Sequence, residues 1–352
     1  MFEEAWLLSP FRDKEVFSPD YVPERLLFRE DRLEMVSDLI EEGETVLLEG
    51  PLGVGKTTLV RILERRSHIR IFYVDCSISN TPYRVLWRLN WMAGNPVPSS
   101  GLPTDHLTYT LLESPGILRE AALVLDHLDW GRFGRRGIQA ILYLKRELGF
   151  PLVLVSEKAD VTTGVRVYLP PYDARELYHI LEDRAERGLV PGDWDELLRE
   201  VAEIAVLEGG SAAYAIALLK NAVRAAWGRG FKDLGGEVQA ARSALFEEWF
   251  LPKIRELRLS NRFVLFAIAS LLAEGRKPTT GEVWRRSNEL LSSAGHHPLS
   301  RRRVSAIISK LSRMGIIRVR MRFGGNYGNT RVVERMAVEP ERLISMFGIC
   351  TR

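Results

Sequence analysis

Between Thr45 and Arg66 the chain reads TVLLEGPLGVGKTTLVRILERR, and no other stretch restricts the fold as tightly. A short apolar run, Thr45–Leu48, enters the loop Gly50-Pro51-Leu52-Gly53-Val54-Gly55-Lys56-Thr57-Thr58. Leu59, Ile62 and Leu63 then recur at helical spacing. This is G-x-x-x-x-G-K-T with a strand before it and a helix after it, the setting in which successive backbone N–H groups cradle phosphate oxygens. Gly53 and Gly55 permit the necessary curl, and the helix start adds partial positive charge. Lys56 is placed to reach the β- and γ-phosphates, and the Thr57 hydroxyl to ligate Mg²⁺. A Gly-rich loop alone is no more than a tight turn. With Gly-Lys-Thr and both flanks, the residues from Gly50 to Thr58 predict a site for ATP or ADP with Mg²⁺.

Strand and helix patterns alternate around this loop. Strands are predicted at Ile69–Val74, Ala121–Leu125, Pro151–Val155 and Val165–Leu169, with helices at about Arg29–Glu41, Tyr83–Met92 and Ile138–Leu148. Such alternation gives a parallel sheet covered on both faces. From Asp173 to about Lys253 the pattern is helical throughout, as in an all-α lid. The last hundred residues predict three helices, the second opened by the capping box Thr279-Thr280-Gly281-Glu282. Ser300 caps the third, Arg301–Met314, and two β-runs flank the turn Gly324–Gly328. The whole is an α/β P-loop NTPase core with parallel sheet, an all-α lid and a C-terminal winged helix-turn-helix domain. The expected boundaries are an arm at 1–20, the core at 21–171, the lid at 172–252 and the winged helix at 253–352.

Charge is divided unevenly. Residues 253–352 hold 20 Lys+Arg against 7 Asp+Glu and contain no Asp, whereas the preceding residues carry a net −10. So basic a third asks for a polyanion, and double-stranded DNA fits the helix-turn-helix pattern. On Arg301–Met314, Val304, Ile307, Ile308 and Leu311 share one face, leaving Arg302, Ser305, Ala306, Ser309 and Arg313 opposite. Small and basic side chains suit entry into a major groove. Arg301, Arg302 and Arg303 stand at the helix N-terminus, where cations are unfavourable unless phosphates lie nearby. Arg318, Arg320 and Arg322 alternate along a strand as a basic rail. Asn326, Tyr327, Asn329 and Arg331 are of the kinds that touch a minor groove or phosphates. No apolar run approaches the roughly 18 residues of a membrane span, the start MFEEAW is not a signal peptide, and Cys76 and Cys350 make no disulfide framework. A cytoplasmic, nucleoid-associated protein with no membrane partner is expected.

Five segments in order resemble the archaeal origin-recognition-complex/cell-division-cycle-type DNA replication initiators, AAA+ ATPases with a C-terminal winged helix. They are PDYVPERLLFRE (19–30), GPLGVGKTT (50–58), ALVLDHLD (122–129), LPPYDARELYHILEDRAERGLVPG (169–192), and LSRRRVSAIISKLSRMGII (299–317) followed by GGNYGNTR (324–331). The resemblance implies origin binding, related initiator subunits as partners, and help in loading the replicative helicase MCM. It places Tyr172 and Arg184 near the nucleotide and Val22 and Pro23 in the adenine pocket. It also implies an initiator-specific helical element at about Asn95–Leu107, a second DNA contact.

Asp126 ends an apolar strand, as a Mg²⁺-water ligand does in a P-loop NTPase. Four family features are altered. His127 replaces the usual Glu that polarises water, the polar sensor falls at Ser156 or Glu157, the lid arginine is Ala213 within Gly210-Ser-Ala-Ala213, and Arg166 is the nearest counterpart of the trans-acting arginine. ATP hydrolysis is therefore expected to be weak or absent, with a neutral His127 the remaining candidate base. Two other readings stay open: a diverged paralogue acting as an ATP-gated DNA-binding regulator, and an active P-loop NTPase or kinase.

Overall fold

Strand Thr45–Glu49 (β1) is buried along its whole length, as are Ala121–Asp126 (β3) and Leu152–Ser156 (β4). Their Val/Leu-rich runs are what strands covered on both faces require. Arg70–Asp75 (β2) and Val165–Tyr168 (β5) alternate buried with half-buried or exposed positions, because they are the edges of one five-stranded parallel sheet ordered β2-β3-β4-β1-β5. Register runs from Thr45 opposite Leu152 to Glu49 opposite Ser156, and Asp75 lies opposite Asp126. These features come from a computed structural model, which describes residues 9–229, 234–322, 330–337 and 339–350. Two compact units divide between Ala217 and Leu218.

Helices of the first unit cover the sheet. Glu30–Glu41 (α1) buries Leu33, Val36 and Ile40, with Leu39 only half-buried. Lys56–Arg66 (α2) buries Leu59, Val60, Ile62 and Leu63. Pro82–Met92 (α3) and Thr104–Glu113 (α4) close one side of the core. The stretch 95–103 is irregular, and α4, which periodicity did not predict, sets Leu107 and Leu111 into the core among polar neighbours. The next helix, Trp130–Leu148 (α5), starts eight residues before the predicted Ile138. Asp129 caps it by accepting from the Gly131 N–H, and its backbone departs from helix at Gly134. Three glycines in that first stretch hide the period. Ala174–Gly188 (α6) opens on a capping box between Asp173 and Glu176, followed by Asp195–Leu207 (α7); Ala212–Arg229 (α8) contains the division between the units.

The segment before Asp20 has no periodicity, yet it packs. Phe11, Val16 and Phe17 are buried. The Arg12 guanidinium donates to Glu186 O and Arg187 O, while the backbone N–H groups of Arg12 and Asp13 both reach Gly188 O. The carboxyl end of α6 is thus capped by a remote segment.

In the second unit, Leu234–Trp249 (α9) and Leu251–Arg255 (α10) precede Leu259–Ala273 (α11), Thr280–Ser293 (α12) and Arg301–Arg313 (α13). The predicted capping box is present: Glu282 accepts from the Thr279 N–H at 2.8 Å, and Thr279 Oγ1 accepts from the Glu282 N–H at 3.4 Å. Ile317–Arg322 (β6) and Thr330–Met336 (β7) pair antiparallel, and β7 also bridges Thr279. A final helix, Pro340–Cys350 (α14), packs Leu343 into the core formed by Val264, Ile268, Val304, Ile308 and Leu311. The predicted turn Gly324–Gly328 lies outside the described residues.

Replacing Thr279 by Ala removes the hydroxyl that caps α12. It should destabilise this unit by about 1 kcal/mol in urea unfolding followed by tryptophan fluorescence; an unchanged midpoint would show that the cap is dispensable.

Candidate functional site

The loop between β1 and α2 has the conformation its glycines allow. Gly53 and Gly55 sit at φ 78° and 93°. A Cβ on Gly53 would meet Ser211 Oγ at 2.0 Å, and one on Gly50 would meet the carbonyl oxygen of Leu169 at 2.4 Å. Val54 is buried as the loop's anchor, while Leu52 stands 60% exposed on the rim, and Pro51, Thr57 and Thr58 are half-buried. Lys56 Nζ donates to Gly50 O and Pro51 O at 2.6 Å each, which holds the ammonium at the mouth of the loop. Burial lowers its pKa, opposed by the charges of Glu157 and Asp126. The loop is closed from the lid by Ala213, whose N–H donates to Gly53 O at 3.3 Å. The residue at the expected arginine position therefore touches the loop through its backbone.

Asp126 is 1% exposed at the end of β3. Its Oδ1 accepts from the His127 N–H at 2.7 Å and its Oδ2 from the Tyr73 hydroxyl at 2.9 Å. His127 has φ 56°, and its Nδ1 lies 3.4 Å from Asp75 Oδ1 and 3.8 Å from Asp126 Oδ2. Burial works against the Asp75 carboxylate, but its hydrogen bonds from Ser77 and the neighbouring His127 hold its pKa below the usual value. Of the two sensor positions, Ser156 is buried with no hydrogen-bond partner on its Oγ, whereas Glu157 is exposed. Arg166 is engaged within its own chain, donating to Glu49 Oε1 and to Val161 O.

Residues 21–29 lie against α6, with Arg29 paired to Glu176 at 3.4 Å. Pro23 is buried and Val22 half-buried; Arg65 donates to Val22 O at 3.1 Å, stitching this segment to α2. Pro23, Glu24, Arg25, Leu27, Asp183 and Arg187 line a cleft of about 260 Å³. Arg184 is 7% exposed, stacks at 4.4 Å over the Tyr21 ring, and leaves Nε and Nη1 without partners. Burial lowers its pKa. Tyr172 is buried under Arg29, whose guanidinium carbon lies 3.9 Å from the ring centre; burial pushes the phenol up to about 12 against that charge. Phosphate-accepting curvature, a captive lysine and orphaned buried donors at Arg184 and Ser156 are the features a bound nucleoside triphosphate would satisfy. Sequence reasoning missed Tyr73 and Arg61, since nothing local marks a mid-strand tyrosine as reaching a carboxylate 53 positions away.

The second unit presents the other surface. Val304, Ile307, Ile308 and Leu311 are buried, and Arg302, Arg303 and Ala306 are exposed. Arg301 lies 4.8 Å over the Trp284 ring. Ser305 and Ser309 are half-buried, and Arg331 Nη1 donates to Ser305 O at 3.2 Å and Oγ at 2.9 Å. Arg318 and Arg320 are both exposed on β6, with a bulge between Arg318 and Val319. Asn326, Tyr327 and Asn329, and the side chains of Arg313 and Arg322, lie outside the described residues. Among the described residues no helix is long and apolar enough to cross a membrane.

Residues 252–345 match the family described as the Cdc6 C-terminal winged helix domain. Over its length the chain is 32% identical to ORC1-type DNA replication protein 1 of Aeropyrum pernix, with 96% of both chains covered. It is 30% identical to the ORC1-type DNA replication protein of Pyrococcus horikoshii, covering 96% of this chain and 90% of that one. Among solved structures, the Aeropyrum pernix ORC1 protein in complex with DNA superposes with a TM-score of 0.71 at 29% identity, covering 97% of this chain and 98% of that chain.

A methyl group on Gly53 collides with the lid and demands a left-handed backbone. Gly53→Ala should therefore weaken binding of a fluorescent ADP analogue about tenfold or more, with Leu52→Ala as the neutral comparison.

Proposed function

The chain belongs to the ORC1-type DNA replication proteins, initiators that join an AAA+ core to a C-terminal winged helix, and from that premise we propose that it grips origin-like duplex DNA while holding ATP or ADP as a slowly exchanging clasp. The observation that carries the DNA half is α13. Its apolar face is entirely committed to the core, its outer face offers Arg302 and Arg303 with small neighbours, and Arg331 ties the wing strand to it. The Aeropyrum pernix relative was solved with DNA. Arg301, Arg302, Arg303, Arg318 and Arg320 supply phosphate contacts, with Ser305 and Ser309 at base edges.

The nucleotide half rests on the loop Gly50–Thr58, with Lys56 for the phosphates, and Val22, Pro23, Tyr172 and Arg184 around the base and ribose. A magnesium ion held by Thr57, and through water by Asp126, would neutralise phosphate charge. Hydrolysis is weak in this reading for three reasons. His127 is drawn toward Asp75 rather than left free. Ala213 offers only a backbone N–H where a lid arginine would stand. Arg166 is tied to Glu49. Loss of an arginine that stabilises transferred phosphoryl charge costs on the order of 10³-fold in rate. The same altered residues favour a second reading, a paralogue that uses ATP only to gate DNA binding. Footprints across the genome at promoters rather than origins would select it. Loading of MCM and association with related initiator subunits belong to the first reading, and co-elution with MCM on origin DNA tests them.

Duplex affinity should fall steeply with salt and weaken on Arg302→Ala in a fluorescence-anisotropy titration. Absence of binding at low salt would overturn the DNA assignment. Turnover of ATP above about one per minute, lost on Lys56→Ala, would overturn the slow-clasp assignment.

A further inference from the structure

We propose that Tyr73 is a positioning residue for the nucleotide site, fixing the carboxylate of Asp126 and so setting how much a divalent cation strengthens nucleotide binding. The inference rests on the reading of Asp126 as the carboxylate that faces the cation. Tyr73 lies on β2 opposite Val124 of β3. Its side chain therefore leaves the sheet on the same face as Asp126, two residues along. There its hydroxyl donates to Oδ2 at 2.9 Å while the His127 N–H donates to Oδ1 at 2.7 Å. Each oxygen has one donor supplied by the chain and keeps a further lone pair for a cation-bound water. The carboxylate cannot turn without breaking two charge-assisted hydrogen bonds in a site that water barely reaches.

The phenol is itself clamped. Arg61 lies over the Tyr73 ring, its guanidinium carbon 3.6 Å from the centre, and is steadied by Glu64 at 2.9 Å. Arg61 belongs to α2, the helix that begins with Lys56 and Thr57. A continuous side-chain relay thus runs from the phosphate-binding helix through Arg61 and Tyr73 to Asp126. It holds the two ends of a prospective cation site, Thr57 and Asp126, in fixed relation. Burial and the adjacent Asp126 raise the phenol's pKa, so it stays a donor. For packing alone phenylalanine would serve in this place. The polar tip is what the relay uses, and orientation of a ligating carboxylate by such an outer partner is a recurrent way of tuning metal affinity.

Tyr73→Phe keeps the ring and removes the hydroxyl. Affinity of the full chain for a fluorescent ADP analogue is measured in Mg²⁺ and in EDTA, for wild type, Tyr73→Phe, Asp126→Asn and the double variant. The expected result is a magnesium-dependent gain reduced about tenfold in Tyr73→Phe, with affinity in EDTA within about twofold of wild type and the double variant no worse than Asp126→Asn. A full magnesium gain in Tyr73→Phe, or equal losses in both media, would overturn the role of Tyr73 while leaving the nucleotide site standing. A wild type with no magnesium gain would overturn that reading of Asp126 and the inference together.

Discussion

Parallel pairing along β3-β4-β1-β5 is the constraint on which the first unit depends. It brings the carboxyl ends of four strands to one edge, where Glu49, Asp126 and Ser156 end their strands and Leu169 follows the last. Each strand end then does something different because its neighbour differs. Leu169 donates its N–H to Glu49 O, and its own carbonyl crowds Gly50 so closely that no side chain fits there. Glu49 would be a costly buried carboxylate, but it accepts from the Ala159 N–H and Arg166. The chain therefore leaves β1 through a glycine, and the phosphate loop begins where the neighbouring strand end admits no side chain.

In the second unit, a row of positive charge is held in place by neutral partners. Three arginines at the start of α13 oppose the helix dipole, at a few tenths of a kcal/mol each. The turn that presents them is organised by Asn288, which donates to Leu299 O and accepts from the Leu299 N–H, and by Trp284, whose indole N–H donates to the same carbonyl at 2.7 Å. Arg301 then covers the Trp284 ring. Half-buried polar groups fix the geometry of the turn, while Arg302 and Arg303 stay exposed.

Wherever a physical period or a motif was complete, the sequence could be read directly. All five strands of the sheet, the capping box at Thr279 and the buried stripe Val304, Ile307, Ile308 and Leu311 lie where alternation and helical spacing put them. Glycines blurred the start of α5, and α4 has only two core residues, Leu107 and Leu111, to announce it. Contacts made across the sheet were invisible, since no local rule ties Tyr73 to Asp126 or Arg166 to Glu49. Nor does any pattern show that Arg331, which reads as a free basic group at a wing, is turned inward onto Ser305.

The seal that Arg12, Phe11 and Phe17 place on the carboxyl end of α6 has a consequence for how this protein can be handled or modified. Arg12 and Arg187 are separated by 175 positions, yet one guanidinium joins them. That helix also supplies Asp183 and Arg187 to the cleft they line with Pro23 and Arg25. Trimming, tagging or binding at the leading segment therefore acts mechanically on a distant pocket wall, and a ligand in that pocket should in turn slow protease attack near residue 12.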